Sequence, residues 1–225
     1  VVELVVGIDT SKASGKRSRG KHYIGVVVGE KGGLSRFLRD VQSFLRSVNY
    51  GSPCVHWADL HGSKREKVFH RFGAAFPDYS LRAFVFPVVR EKGRRDLYLR
   101  SCPIVIGRRL GEAVGGSCKA VIIVSDTDFD GLAPGSNAAS KRPTEIFLEE
   151  LVSELGSRMA GRRLRASCKA GVVELEEGGV RVAGRVGSRS DGEVQAADLA
   201  LGLFVFGEKS GRGVRNVSVE QTIRG

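Results

Sequence analysis

Three acidic residues, far apart in the chain, stand where chemistry is plausible. Asp9 ends the apolar run Val2–Asp9. Asp126 follows the strongly apolar Lys119–Ser125 (KAVIIVS). Asp198 lies in Gln195-Ala196-Ala197-Asp198-Leu199-Ala200, a segment of helical character. A carboxylate set among Ala, Leu and Gly faces either a packed side or a cleft, and burying it alone is costly. A divalent metal shared with Asp9 and Asp126 supplies the missing partner. Taken singly, each acid has a plainer explanation. An aspartate at a strand end usually serves a turn or cap, and Asp198 can pair with an arginine such as Arg185 or Arg189. The case for chemistry rests on the three together, at ends that an α/β sheet brings to one side.

The run Val121–Leu132 (VIIVSDTDFDGL) adds Asp128 and Asp130. Such a pattern suits a calcium loop, a TOPRIM magnesium motif or the nucleophile motif of a dehalogenase-like phosphatase. An EF-hand needs Glu at loop position twelve, and that place holds Asn137. The phosphatase motif normally sits on a first strand, whereas this one is central. No earlier Glu-Gly strand end completes a TOPRIM site. Asp126 therefore stays the strand-end ligand, with Asp128 as its substitute, and Asp130-Gly131 reads as turn chemistry.

The elements that must position these acids follow from periodicity. Val2–Asp9 and His22–Gly29 predict two strands that pair antiparallel, joined by the basic, Gly/Ser-rich stretch Ser11–Lys21. Leu34, Phe37, Leu38, Val41, Leu45 and Val48 predict an amphipathic helix. Cys54–Trp57 is a short strand candidate. Ser63 is positioned to cap a helix to about Phe72, with Glu66 at the capping-box place. Leu81–Val89 predicts a strand whose Pro87 marks an edge or an end. Asp96–Val114 predicts a helix despite Pro103, and Pro143-Thr144 opens another reaching about Met159. Leu164–Val173 and Val180–Val182 are weaker strands, Gly187–Gly192 is turn-rich, and Glu193–Phe206 is a final helix. This alternation predicts an α/β fold, a mixed central sheet with helices on both faces. Without a repeat or a Pro-rich linker, residues 1–225 are expected to form a single domain.

Bulk properties narrow the classes. A 225-residue chain can bury a sizeable core. The net charge of +11 favours polyanionic partners, nucleic acid above all, although a solubility charge on a heat-adapted protein explains it as well. Heavy use of Arg, Val and Glu hints at a thermophile. The four cysteines, Cys54, Cys102, Cys118 and Cys168, form no CxxC pair and sit among apolar residues. That argues against a zinc ribbon and for a reducing, cytoplasmic setting. The start Val1–Val6 lacks the leader of a signal peptide and reads as a strand, and no apolar run spans a bilayer, so no membrane partner is expected.

Gly7-Ile8-Asp9, His56-Trp57-Ala58-Asp59-Leu60, the strand-aspartate Val121–Asp126 and the terminal Gly187–Gly202 (GSRSDGEVQAADLALG) together resemble a prokaryotic RNase H-like family of unknown function. Its members open with a strand ending in Asp-Glu-Ser and close with a Gln-Leu-Ala-Asp helix after a Ser-containing loop. Here the first motif is Asp9-Thr10-Ser11, so the Glu is missing, and no Glu matches the first-helix acid of RNase H. His56 and Asp59 are the nearest candidates for that place.

The resemblance implies an RNase H-like fold and phosphodiester cleavage with two metal ions, magnesium or manganese (Mg2+ or Mn2+), which suit an all-oxygen site. Asp9 would bridge both ions, and Asp126 and Asp198 would each add a ligand. His56 would serve as a further ligand or move protons; its plainer role is a packed strand histidine. Lys12, Lys16, Arg17, Arg19 and Lys21 follow Asp9 directly and suit a phosphate backbone. Further basic sets occur at Arg90, Lys92, Arg94 and Arg95 and at Arg158, Arg162, Arg163 and Arg165. Three functions compete: a metal-dependent nuclease on RNA or DNA; a non-catalytic nucleic-acid-binding or scaffold protein, favoured by the missing Glu; and a TOPRIM- or phosphatase-like phosphotransfer enzyme using Asp126 and Asp128. The sequence leaves the oligomeric state open, a homodimer included.

Overall fold

The computed structural model describes residues 3–11, 21–89, 97–116, 118–126 and 142–224, with the side chain of residue 21 excepted. Among them, eight strands form one mixed sheet in the order β5-β6-β7-β4-β1-β2-β3-β8. Strand β1 (Glu3–Thr10) pairs antiparallel with β2 (Lys21–Glu30), and β2 antiparallel with β3 (Leu81–Val89). On its other side β1 runs parallel to β4 (Ala120–Ser125), which runs parallel to β7 (Val180–Val186). The core β3-β2-β1-β4-β7, three antiparallel strands continued by two parallel ones, is the arrangement of an RNase H-like sheet.

Strand β1 is buried on both faces, which is why its sequence is a continuous apolar run rather than an alternating one. Val6 and Ile8 point to a core closed by α3 (Cys102–Val114) and α4 (Pro143–Ala160), through Ile106, Leu110, Phe147 and Leu151. Val5 points the other way. There α1 (Lys31–Ser47) and α5 (Gly192–Lys209) supply Phe37, Val41, Leu199 and Leu203. The spacing in α1 predicted this, and Leu34, Phe37, Leu38, Val41 and Leu45 are all buried.

Several expectations need correction. Cys54–Trp57 is not a strand; an extended stretch leads into a single 3-10 turn at Trp57–Asp59. The helix α2 (Ser63–Phe72) begins after Gly62, and no side chain caps it, so the Ser63–Glu66 capping box does not form. The helix expected over Asp96–Val114 is present from Leu97, where the described residues resume, and Pro103 does not break it: Leu97–Ser101 are wound as a wider π-helix that runs directly into α3, and Pro103 falls in the first turn of α3. The weak strand over Leu164–Val173 is a hairpin, β5 (Ser167–Lys169) and β6 (Val172–Glu177). A two-residue turn then joins β6 to β7 through Gly178 and Gly179, both at positive φ. Strand β8 (Val217–Val219), beside β3, had no sequence signal strong enough to be noticed. Pro87 lies on the β8 side of its pairing, since Ile223 donates its N–H to the Pro87 carbonyl. Its missing donor thus faces the stretch beyond β8, past the last pair Val85–Val219, consistent with an edge reading.

The fit of α5 on the sheet depends on glycine. A Cβ at Gly7 would overlap the carbonyl carbon and oxygen of Glu193, and one at Gly25 would stand 3.0 Å from the Ala197 carbonyl oxygen. Both obstacles are helix backbone or lie against it, so local side-chain motion cannot relieve them. Gly7→Ala is therefore expected to lower unfolding stability by about 3 kcal/mol, the upper end for overpacking. Urea denaturation of the two proteins measures it.

Candidate active site at the carboxyl end of the sheet

Parallel pairing sets the first two acids side by side. The register pairs Ile8 with Ser125, and the Asp126 N–H donates to the Ile8 carbonyl at 3.1 Å, extending the ladder by one step. Asp9 and Asp126 are thus neighbours on adjacent chains, about 4.8 Å apart in the backbone. Strand alternation puts Asp9 on the same face as Val5 and Gly7, the face that α5 covers. Asp9 is 6% exposed, and Asp126 is half-buried.

Helix α5 brings the third acid. Its first turn lies over β1 at Gly7 and its second over β2 at Gly25. Val194 flanks the end of β7, where a Cβ on Gly187 would stand 3.1 Å from its Cγ2. Asp198 is one helical turn beyond Val194 on the same flank, about 5.4 Å further along the axis.

The partners of Asp198 come from residues 55–58. Asp198 Oδ2 accepts the Trp57 N–H at 2.6 Å and lies 3.1 Å from His56 Nδ1. Asp198 Oδ1 accepts no hydrogen bond among the described residues. The Ala58 N–H also points at His56 Nδ1, at 3.3 Å. One nitrogen cannot both donate and accept. The carboxylate contact is shorter and charge-assisted, so Nδ1 carries the proton and donates to Asp198. This hydrogen bond raises the imidazole above its ordinary value of 6.5, against partial burial, which lowers it; Arg189 also lowers it and Asp59 raises it. Arg185, an expected partner of Asp198, instead pairs with Asp191 at 2.5 Å.

Four features of this site had no assigned role in the sequence. Gln195 accepts the Val55 N–H at 2.9 Å and donates to the Ser190 carbonyl at 3.1 Å. Gly202 leaves room for the Trp57 ring, which a Cβ there would overlap. Arg65 donates to the carbonyls of Trp57 and Ala58. Asp191 accepts from Arg185 and from the N–H and hydroxyl of Ser188. The one available signal was Gln195 and Asp198 three apart, on one flank of an otherwise apolar helix.

The remaining candidates divide. Asp59 is exposed on the 3-10 turn. Asp128, Asp130, Lys12, Lys16, Arg17, Arg19, Arg90, Lys92, Arg94 and Arg95 lie outside the described residues, and of Lys21 only the backbone is described. Arg158 and Arg162 form ion pairs with Glu154 and Glu177, at 2.7 and 2.5 Å. Among the described residues, no three His, Cys, Asp or Glu side chains stand close enough together to hold one metal ion. Nor is any described helix long and apolar enough to cross a membrane.

No protein-family model matches the chain, and no curated protein matches it in sequence. Among solved structures, it is similar to the ribonuclease H2 of Pyrococcus horikoshii OT3, at 17% identity over 92% of this chain and 77% of that one, TM-score 0.39. It is also similar to a chain of the PCNA:RNase HII complex of Archaeoglobus fulgidus, at 16% identity over 94% and 79%, TM-score 0.37.

The Arg185–Asp191 pair fastens the β7–α5 loop. The guanidinium hydrogen bond, with help from Ser188, holds the Asp191 carboxyl below its ordinary 3.8, against burial, which raises it. A depressed folded value means stabilisation that is full above the unfolded value and lost as pH falls through the folded one. Asp191→Asn should thus cost about 1 kcal/mol at neutral pH, given a partly exposed pair. Thermal unfolding should show that difference shrinking as the pH falls well below 3.8.

Proposed function

We propose that the protein is a divalent-metal-dependent nuclease that hydrolyses phosphodiesters of RNA or DNA. The observation that carries this reading is the Asp9–Asp126 pair, two carboxylates at adjacent ends of parallel strands on an RNase H-like sheet. Two like charges held this close favour a cation between them. Asp198, on α5, is the third acid of the reading, and its Oδ2 is held by the Trp57 N–H and His56. Carboxylate oxygens alone suit magnesium or manganese.

Asp9 and Asp126 would hold the metal; Asp198 does not stand with both as one three-ligand group among the described residues, so its part would be to hold His56. A metal held there would supply positive charge beside the attacking water and the leaving oxygen. The chain's own residues do the rest. Asp9, almost wholly buried, keeps its carboxylate in one place. The Trp57 N–H and His56 share one oxygen of Asp198, which fixes that carboxylate in place. His56, its Nδ1 committed to Asp198, has Nε2 left to exchange a proton with a group in the cleft. The charge of +11 supplies a field that draws a polyanionic substrate in.

A second reading has one observation in its favour. Asp198 is already hydrogen-bonded within the fold, as in a non-catalytic nucleic-acid-binding protein on the same scaffold.

The nuclease reading expects cleavage of labelled single-stranded and duplex oligonucleotides in Mg2+ or Mn2+. Asp9→Asn should abolish it, with at least a 1000-fold loss of kcat (about 4 kcal/mol) and an unchanged circular dichroism spectrum. Salt-sensitive binding that survives Asp9→Asn, with no turnover in either metal, would establish the scaffold reading instead.

A further inference from the structure

Helix α5 grips the stretch Val55–Trp57 as an edge strand would, but with side chains. Gln195 Oε1 accepts the Val55 N–H at 2.9 Å, and Asp198 Oδ2 accepts the Trp57 N–H at 2.6 Å. Residues 195 and 198 are about 4.5 Å apart along the helix axis. Alternate residues of an extended chain are about 6.6 Å apart. The longer glutamine side chain spans the mismatch. Gly202, on the same helix, seats the Trp57 ring, and Arg65 takes the carbonyls of Trp57 and Ala58. His56 lies between the two gripped N–H groups.

Gln195 does more than hold this stretch. It is 6% exposed, and both ends of its amide are engaged. The oxygen holds Val55, and the nitrogen donates to the Ser190 carbonyl at 3.1 Å. Ser190 belongs to the loop that carries Arg189, whose charge acts on His56. One buried amide therefore ties together two segments that are far apart in sequence, and each brings a polar group to the Asp198 edge. A carboxylate could not do this, because it has no donor for Ser190. An apolar side chain of the same length would fill the space and join nothing.

We propose that Gln195 is a positioning residue that fixes His56 against Asp198 and the Ser188–Asp191 loop for the hydrolysis proposed above. The role in hydrolysis rests on that reading; the effect on His56 does not.

The test uses the full chain and two substitutions. Gln195→Met keeps the length and loses both hydrogen bonds. Gln195→Glu keeps an acceptor for Val55 and loses the donor to Ser190. The first readout needs no activity: nitrogen-15 spectra of the four imidazoles, with His56 assigned by His56→Gln. Gln195→Met should shift or broaden the His56 signals and leave His22, His61 and His70 in place, and Gln195→Glu should do so less. The second readout is Mn2+-supported cleavage of an oligonucleotide. There kcat should fall about 10-fold or more in Gln195→Met, the loss expected when a group moving protons is mispositioned, with KM within about twofold, the signature of a group felt in the transition state. A lower melting temperature with His56 signals and kcat both unchanged overturns the proposal and leaves Gln195 as packing. Shifted His56 signals with unchanged kcat overturn its part in the reaction. If the wild-type chain cleaves nothing in either metal, the hydrolysis reading fails, and the imidazole spectra alone decide whether Gln195 positions His56.

Discussion

The last helix lies so close to strands β1 and β2 that its backbone occupies space that side chains would otherwise fill. Two glycines permit this, Gly7 beneath the Glu193 carbonyl and Gly25 beneath Ala197. The closeness fixes both the height and the direction of α5 across the sheet. It also fixes what its flank presents, since residues three and four apart share a side. Gln195, Asp198 and Gly202 therefore face one stretch, Val55–Trp57, which has no strand partner of its own. Had α5 ridden at the ordinary spacing of a helix over side chains, those short reaches to backbone N–H groups would not close.

Polar groups at this edge are buried in company. Asp198 has the Trp57 N–H and His56, Gln195 has Val55 and Ser190, and Asp191 has Arg185 and Ser188. Each avoids the cost of an unmatched buried polar atom. The same logic governs the opposite face. There Ser153, Ser157 and Glu149 of α4 receive the N–H groups of Ala166, Leu164 and Cys168. The helix spacing of four residues, about 6.0 Å, nearly matches two residues of extended chain, about 6.6 Å. Helices in this protein thus act twice as acceptors for backbone N–H groups of extended chain beside the sheet or at its edge.

Much of the architecture was legible in the residues. The apolar runs at β1, β2 and β4, the three-four spacing of α1 and the Pro-led start of α4 report burial directly, because burial is what selects apolar side chains at those positions. Cys54–Trp57 misled because a gripped extended segment and a sheet strand want the same residues, and they differ only in which groups accept their N–H bonds. Pro103 did not mislead: the helix runs through it, and only the wider winding of Leu97–Ser101, whose Leu97, Tyr98 and Leu99 pack into the core, had no sequence signal. Strand β8, three residues on an edge, is too short to show a period.

By itself the chain determined the kind of layers, the strand ends on which Asp9 and Asp126 stand, and a polar flank on an apolar final helix. These follow from local pattern, which depends on which side of each element meets water. Only the tertiary structure decided that Asp9 and Asp126 are neighbours, that Asp198 reaches His56 and Trp57, and that Arg185 belongs to Asp191. Such pairings join residues as far apart in the chain as His56 and Asp198. They arise from parallel strand register and from how closely a helix can approach a sheet, and no window of sequence contains either.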